Sequence, residues 1–446
     1  MVPLKAGETR RFRLRVVTGY WGKVPAVSYA QLSVIGYGGN WKWDESALGC
    51  WGESMCYDPS QHLGSSFISD VRPSFTMGNG GNPYEWTENV GGGDFLVYFD
   101  CSNTYRWAKR LKAAYRWTGP NMTEVLYSGL TDDEAIRFNY RIRSVRTTDY
   151  HRRFHFYRYE FLRDVVSPKR LVFYKMAADY YNSVQFDRFY LGDRNGVEAE
   201  KDYPVGPVGY SGTSIPFSNR WLAIDDTTSN DRKRKTAKAR RGLLFMESKL
   251  NDKPFPAYLH LHGVKGTGGE TFDLSSQSLS RSYSAGDIVE GELEFILPPK
   301  APDVYWGGDR GFSGRLKSYG TNAWQAVADE FNHNLNLDVL MNVGTLERSY
   351  PMEIHALESG KVLADFTIQR GGIGHVPILL RGVPVGCALK SERHLDGKWI
   401  PLESVDIGQN NYYQGVRNSD DTMDCVFNIK RPFHDLNGSW RIRILK

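Results

Sequence analysis

Alternation of apolar and polar residues with a period of two dominates this chain. Arg10–Val17 (RRFRLRVV) sets Phe12, Leu14 and Val16 against Arg11, Arg13 and Arg15, the mark of a half-buried strand with a basic outer face. Ser28–Tyr37 predicts a second strand. Arg137–Arg146 (RFNYRIRSVR), Arg153–Phe161 (RFHFYRYEF) and Leu171–Ala177 (LVFYKMA) are rich in aromatic and β-branched residues and predict more. Strand signals return at Gly242–Glu247, Ala257–His262 and Ile288–Leu297. Helical spacing is rare. Trp107, Leu111 and Ala114 within Thr104–Trp117 predict one short amphipathic helix. Trp324, Val327 and Phe331 within Tyr319–Asn332 predict a better one, packed between domains.

Breaks in this pattern divide the chain. Pro298–Gly314 (PPKAPDVYWGGDRGFSG) interrupts the strands and reads as a boundary. From Leu335 onward strand signals recur at the interval of a small sandwich. The predicted fold is mainly β with few helices: a large two-sheet antiparallel sandwich over 1–300, a linker and helix over 301–334, and a small immunoglobulin-like β-sandwich over 335–446. A chain of 446 residues is long enough for more than one core.

Composition changes this picture in one respect. Aromatic residues reach 13%, with 26 Tyr and 12 Trp, and in Asn40–Asp100 they alternate with acids. There Trp41, Trp43, Trp51, Tyr57 and Trp86 are interleaved with Glu53, Asp70, Glu85 and Asp94, separated by glycines and prolines that place most of them on loops. Indole faces beside carboxylates suit sugar rings, which offer apolar C–H faces and a rim of hydroxyls. Glu53 is the first candidate for a catalytic acid, because Trp51 and Tyr57 beside it would raise its pKa. Asp94 follows, between the triplet Gly91–Gly93 and the strand FLVYF; Asp70 and Glu85 complete the catalytic set. Trp41, Trp43, Trp51, Tyr57 and Trp86 would form stacking walls, with Arg72 orienting an acidic group.

The expected function is a glycoside hydrolase acting on a polysaccharide or oligosaccharide through paired carboxylates. A polysaccharide lyase acting on a uronic-acid glycan is the alternative, with Tyr150, His151, Arg152 and His155 (YHRRFHF) or His260 and His262 supplying the group types. A non-catalytic glycan-binding or assembly protein is the third reading, and a homo-oligomer is compatible with each. The net charge of +5 is mild, and the basic run Asp231–Arg241 lacks aromatic partners for bases, so no nucleic acid is expected. No apolar run approaches the roughly 20 residues of a membrane span. Five cysteines without a CxxC argue against a thiolate metal site. No cofactor is expected; calcium at the acidic turns Asp132–Glu134 or Asp420–Asp424 is the one exception entertained, and neither has EF-hand spacing.

The words GCWGESMCYDP, NVGGGDFLVYFD and GTLERSYP, in that order, resemble those of bacterial β-sandwich proteins of polysaccharide-degrading systems. In that group a galactose-mutarotase-like sandwich precedes an immunoglobulin-like domain. The resemblance implies a glycan substrate and a periplasmic or extracellular location, whereas Met1–Gly7 shows no apolar signal-peptide core. It transfers no catalytic residue.

Overall fold

The computed structural model describes residues 92–446 apart from 120, 148–149, 178–187, 203–214, 217–218, 226–240, 263–270, 277–280, 299–317, 320–323, 373, 403–412 and 432–437. Before residue 92 it describes residues 7, 9 and 30 and a set of short strands. These are Leu32–Ile35 (β1), Glu45–Leu48 (β2), Glu53–Cys56 (β3), Ile68–Asp70 (β4), Ser74–Phe75 (β5) and Glu85–Trp86 (β6). Gly92–Asp94 (β7), Val97–Phe99 (β8), Tyr105–Thr118 (β9), Met122–Thr131 (β10), Ile136–Val145 (β11), His151–Phe161 (β12) and Arg170–Ala177 (β13) follow. Next come Arg188–Asp193 (β14), Gly196–Asp202 (β15), Ile215–Pro216 (β16), Arg220–Asp225 (β17), Arg241–Leu250 (β18), Lys253–Pro254 (β19), Ala257–His262 (β20), Thr271–Ser276 (β21) and Ile288–Leu297 (β22).

Two antiparallel sheets result. One runs β9–β10–β11–β12–β22–β18–β17–β14–β15. The other runs β1–β2–β3–β4–β7–β13–β21–β20–β16, with β8 pairing both β13 and β9. Their facing sides share one core. In β11, Ile136, Phe138, Tyr140 and Ile142 point into it and meet Phe173, Met176 and Leu259 of the opposite sheet. The alternate residues Arg137, Asn139, Arg141 and Arg143 necessarily point to the other face. The Tyr159 hydroxyl lies between the carbonyls of Phe95 and Phe173 (2.8 Å to the latter), pinning the layers together.

The predicted helix over Thr104–Trp117 is instead the strand β9. Its first three residues pair with β8 and the rest with β10, and these ladder bonds outweigh a local helical spacing. Helix formation is correct in the second case: Trp324–Leu335 is helical (α1). Val327 and Phe331 are buried, and Trp324 stacks on Tyr190 of β14 with ring centres 4.6 Å apart. Gly242 of β18 makes this docking close, since a Cβ there would meet Val327 and Ile296 side-chain atoms at 2.7 Å. The expected strand Arg10–Val17 lies outside the described residues.

After α1 come Asp338–Val343 (β23), Thr345–Arg348 (β24), Met352–His355 (β25), Val362–Arg370 (β26) and Gly374–Pro384 (β27). Lys390–Leu395 (β28), Lys398–Pro401 (β29), Tyr413–Arg417 (β30), Thr422–Arg431 (β31) and Trp440–Leu445 (β32) complete the chain. They form two five-stranded sheets, β23–β26–β32–β28–β29 and β24–β25–β27–β31–β30. Every pair in them is antiparallel except β25–β27. This smaller sandwich shares a second core with α1 and with the outer face of the first sheet, where Trp117, Phe154 and Phe156 meet Met352, Ile378 and Phe427. Polar contacts fix the seam. The Gln414 carbonyl accepts from the backbone N–H of Asn121 (3.2 Å) and Met122 (3.1 Å), and the Asn121 amide donates to the Val426 carbonyl (3.0 Å). Among the described residues, no helix is long and apolar enough to cross a membrane.

Candidate functional site

A cavity of about 700 Å³ opens on the outer face of the first sheet, where the small sandwich overhangs it. That volume is typical of small-molecule sites, ~300–1,000 Å³. Strand register assembles its floor. One row across the sheet reads Leu126–Arg141–Phe156–Glu292–Glu247, each opposite the next on the neighbouring strand. The row beside it reads Ser128–Asn139–Arg158–Glu290–Lys249. Apart from Ser128, all of these residues line the cavity. Tyr115 and Leu126, each 39% exposed, give it an apolar edge.

The small sandwich contributes Arg348, whose guanidinium grips both oxygens of Glu292 at 2.7 and 2.8 Å. Burial nevertheless raises the Glu292 pKa; Arg348 opposes this, and the charge of Glu247 adds to it. Lys249 pairs with Glu247 at 2.8 Å, and Arg158 with Glu290 at 3.4 Å. Phe156 lies under three guanidiniums, with Arg141, Arg143 and Arg348 at 4.3, 5.1 and 5.4 Å from the ring centre. A face so occupied is a support for arginines rather than a stacking surface.

Behind the cavity, Arg143 bridges Glu124 of its own sheet and Glu353 of the small sandwich. Burial works against the charge on Glu353, but Arg143 and Arg381 outweigh it and hold the carboxyl at about 2. Since this value is depressed from 4.5, the stabilisation is complete above the unfolded pKa and is lost as pH falls from about 4.5 towards 2. A shift of that size corresponds to on the order of 3 kcal/mol. Acid titration followed by limited proteolysis should therefore show the seam loosening over that window, and Glu353→Gln should remove that part of the pH dependence. An unchanged acid transition in the variant would refute this.

Of the catalytic and stacking candidates, only Asp94 has a described side chain. Asp94 is buried on β7, with the Tyr105 hydroxyl 3.5 Å away, and does not line the cavity. Glu53, Asp70, Glu85 and Trp86 lie in β3, β4 and β6, not on loops: β3 and β4 join an edge of the second sheet, and β6 pairs β5. Their side chains lie outside the described residues, as do Trp41, Trp43, Trp51, Tyr57 and Arg72 entirely. The lyase candidates Tyr150, His151, Arg152 and His155 are buried, and none of them lines this cavity. His155 bonds the Tyr140 hydroxyl at 3.0 Å, and burial followed by Arg153 drives its pKa far down, so it stays neutral. Burial likewise lowers His260 to about 4; the His262 side chain is outside the described residues.

The acidic turns are occupied by the protein's own groups. Asp132 meets Arg106 at 3.2 Å, Asp133 meets Arg163 at 3.0 Å, Asp420 accepts from the Thr422 N–H, and Asp424 meets Arg116 at 2.7 Å. Among the described residues, no three His, Cys, Asp or Glu side chains are grouped to hold a metal. The residues that sequence reasoning missed had one local signal: Glu290, Glu292 and Glu294 at every second position of IVEGELEF.

No family model and no curated protein matches this chain. Solved structures do. The galactosidase domain of an alpha-galactosidase-sucrose kinase is similar with a TM-score of 0.31 and 11% identity, over 55% of this chain and 39% of that one. The alpha-galactosidase from Lactobacillus brevis gives 0.33 and 9%, over 63% and 39%. A GalM/aldose epimerase homologue from C. elegans gives 0.25 and 8%, over 58% and 96%. The match thus spans about two fifths of the alpha-galactosidase chains.

Proposed function

We propose that this protein is a carbohydrate-active enzyme, a glycoside hydrolase, whose sugar enters the cavity beneath the small sandwich. The observation that carries this is the placement of Glu247 and Glu292 directly opposite each other on β18 and β22, the second of them half-buried. Side chains so paired stand ~4.5–5.5 Å apart at Cβ. From Cβ atoms so placed the two carboxyl groups can reach one glycosidic bond, for which retaining chemistry needs them roughly 5 Å apart. In this mechanism Glu292, whose pKa burial raises, protonates the leaving oxygen. Arg348 then stabilises the carboxylate left behind. Glu247 attacks the anomeric carbon, and water later releases the sugar with Glu292 acting as base. Tyr115 and Leu126 supply the apolar edge for the ring's C–H face. The reading keeps the exported location that the sequence resemblance implies.

Incubation with a panel of polysaccharides and oligosaccharides is expected to release reducing ends without near-ultraviolet-absorbing products. Unsaturated, absorbing products would make the protein a lyase instead. Binding without release would make it a glycan-binding protein, and the absence of both would end the carbohydrate reading.

A further inference from the structure

Each cation lining the cavity meets a carboxylate within 3.5 Å, except one. Lys249 is matched to Glu247, Arg158 to Glu290, Arg348 to Glu292 and Arg116 to Asp424. Glu124 is taken by Arg143, whose Nε binds the same Oε2 that lies 4.0 Å from the Arg141 Nε. At that distance there is no hydrogen bond. Arg141 makes none to the described residues, and its Nε is buried without a partner. Its guanidinium rests on Phe156 and is 38% exposed. It lines the cavity beside Leu126 and Tyr115.

We infer that Arg141 is the anchor for a carboxylate, so that the sugar taken by this cavity is a uronic acid within a glycan. This rests on the proposed carbohydrate function and narrows it. A planar guanidinium presents parallel N–H donors that match a carboxylate bidentately, which a hydroxyl cannot exploit. Leu126 stands directly opposite Arg141 across the β10–β11 ladder, with Tyr115 at the same edge. An apolar patch next to a cation that only a long contact ties to Glu124 is the complement of a pyranuronate: a C–H face with the negative group at one end. The guanidinium also gains from the ligand. Burial and the neighbouring Arg143 both disfavour its charge, and a bound carboxylate relieves that.

The test measures binding to oligosaccharides of glucuronic, galacturonic and mannuronic acid, each beside its carboxyl-reduced neutral counterpart, with sulfated oligosaccharides as a further arm. Wild type, Arg141→Gln and Arg141→Lys are compared. At least one uronide should bind. Reducing its carboxyl, or introducing Arg141→Gln, should each weaken binding by about 10- to 100-fold. The two changes together should cost little more than either alone, and Arg141→Lys should recover part of the loss. The carboxyl-reduced arm needs no variant, so a folding defect cannot obscure the answer. If the neutral counterpart binds as tightly as the acid, the carboxylate anchor is wrong while the hydrolase reading stands. If only sulfated sugars bind, the anchor serves a different anion and the uronate assignment fails. If no glycan binds at all, both fall together.

Discussion

Arg152→Met is expected to destabilise the protein by about 3–5 kcal/mol, the cost of breaking a buried ion pair from one side. Arg152 and Glu294 are 1% and 0% exposed, with the Arg152 Nε 2.7 Å from a Glu294 oxygen. Tyr350 closes the triad: its hydroxyl accepts from Arg152 and donates to the second Glu294 oxygen at 2.5 Å. Arg152 and Glu294 sit on adjacent strands of the first sheet, whereas Tyr350 belongs to the turn between β24 and β25. Removing the guanidinium leaves Glu294 charged with no cation to pair it, or forces it to take up a proton. Burial already favours the proton, raising the Glu294 pKa against the pull of Arg152. A second variant separates the lost pair from lost volume. Arg152→Met combined with Glu294→Leu removes the stranded charge and should recover much of the stability. The midpoint of the first transition in urea measures both. If Arg152→Met stays within about 1 kcal/mol of wild type, the triad is not what holds this seam.

Much of the architecture is legible in the sequence because strand periodicity is local. RFNYRIRSVR carries its inward and outward faces in its spelling, and β11 uses them that way. The helix α1 is equally plain from Trp324, Val327 and Phe331. Strand β9 is not, because what decides it lies outside it: β8 and β10 must already be in place for its backbone bonds to count. The cavity is illegible for the same reason. Glu247 and Glu292 are far apart in the chain and meet only through the register of β18 with β22. Arg348 arrives from another sandwich. A search for clustered chemistry instead favours Asn40–Asp100, where aromatic and acidic residues are neighbours in sequence. YHRRFHF misleads in the opposite sense. Its histidines and arginines look reactive on paper, but they lie in the covered first half of β12 and are buried.

Glu292→Gln is expected to lower kcat by about 10²–10⁴-fold on whichever glycan the protein cleaves, while leaving affinity nearly unchanged. The amide keeps the shape of the carboxyl and can still accept from Arg348, but it has no proton to give at the pH of the reaction. The pH profile makes the assignment specific. A proton donor works only while protonated, so activity should fall as pH rises through the Glu292 pKa, which burial has raised. Its two charged neighbours pull that limb in opposite directions. Removing the negative charge of Glu247 takes away an influence that raises the value, so Glu247→Gln should move any residual alkaline limb to lower pH. Removing Arg348 takes away one that lowers it, so Arg348→Met should move the limb to higher pH. A merely structural Glu292 would change stability in these variants without ordering the three profiles. Retention of more than about a tenth of the wild-type kcat in Glu292→Gln, or a downward shift in Arg348→Met, would place the donor elsewhere.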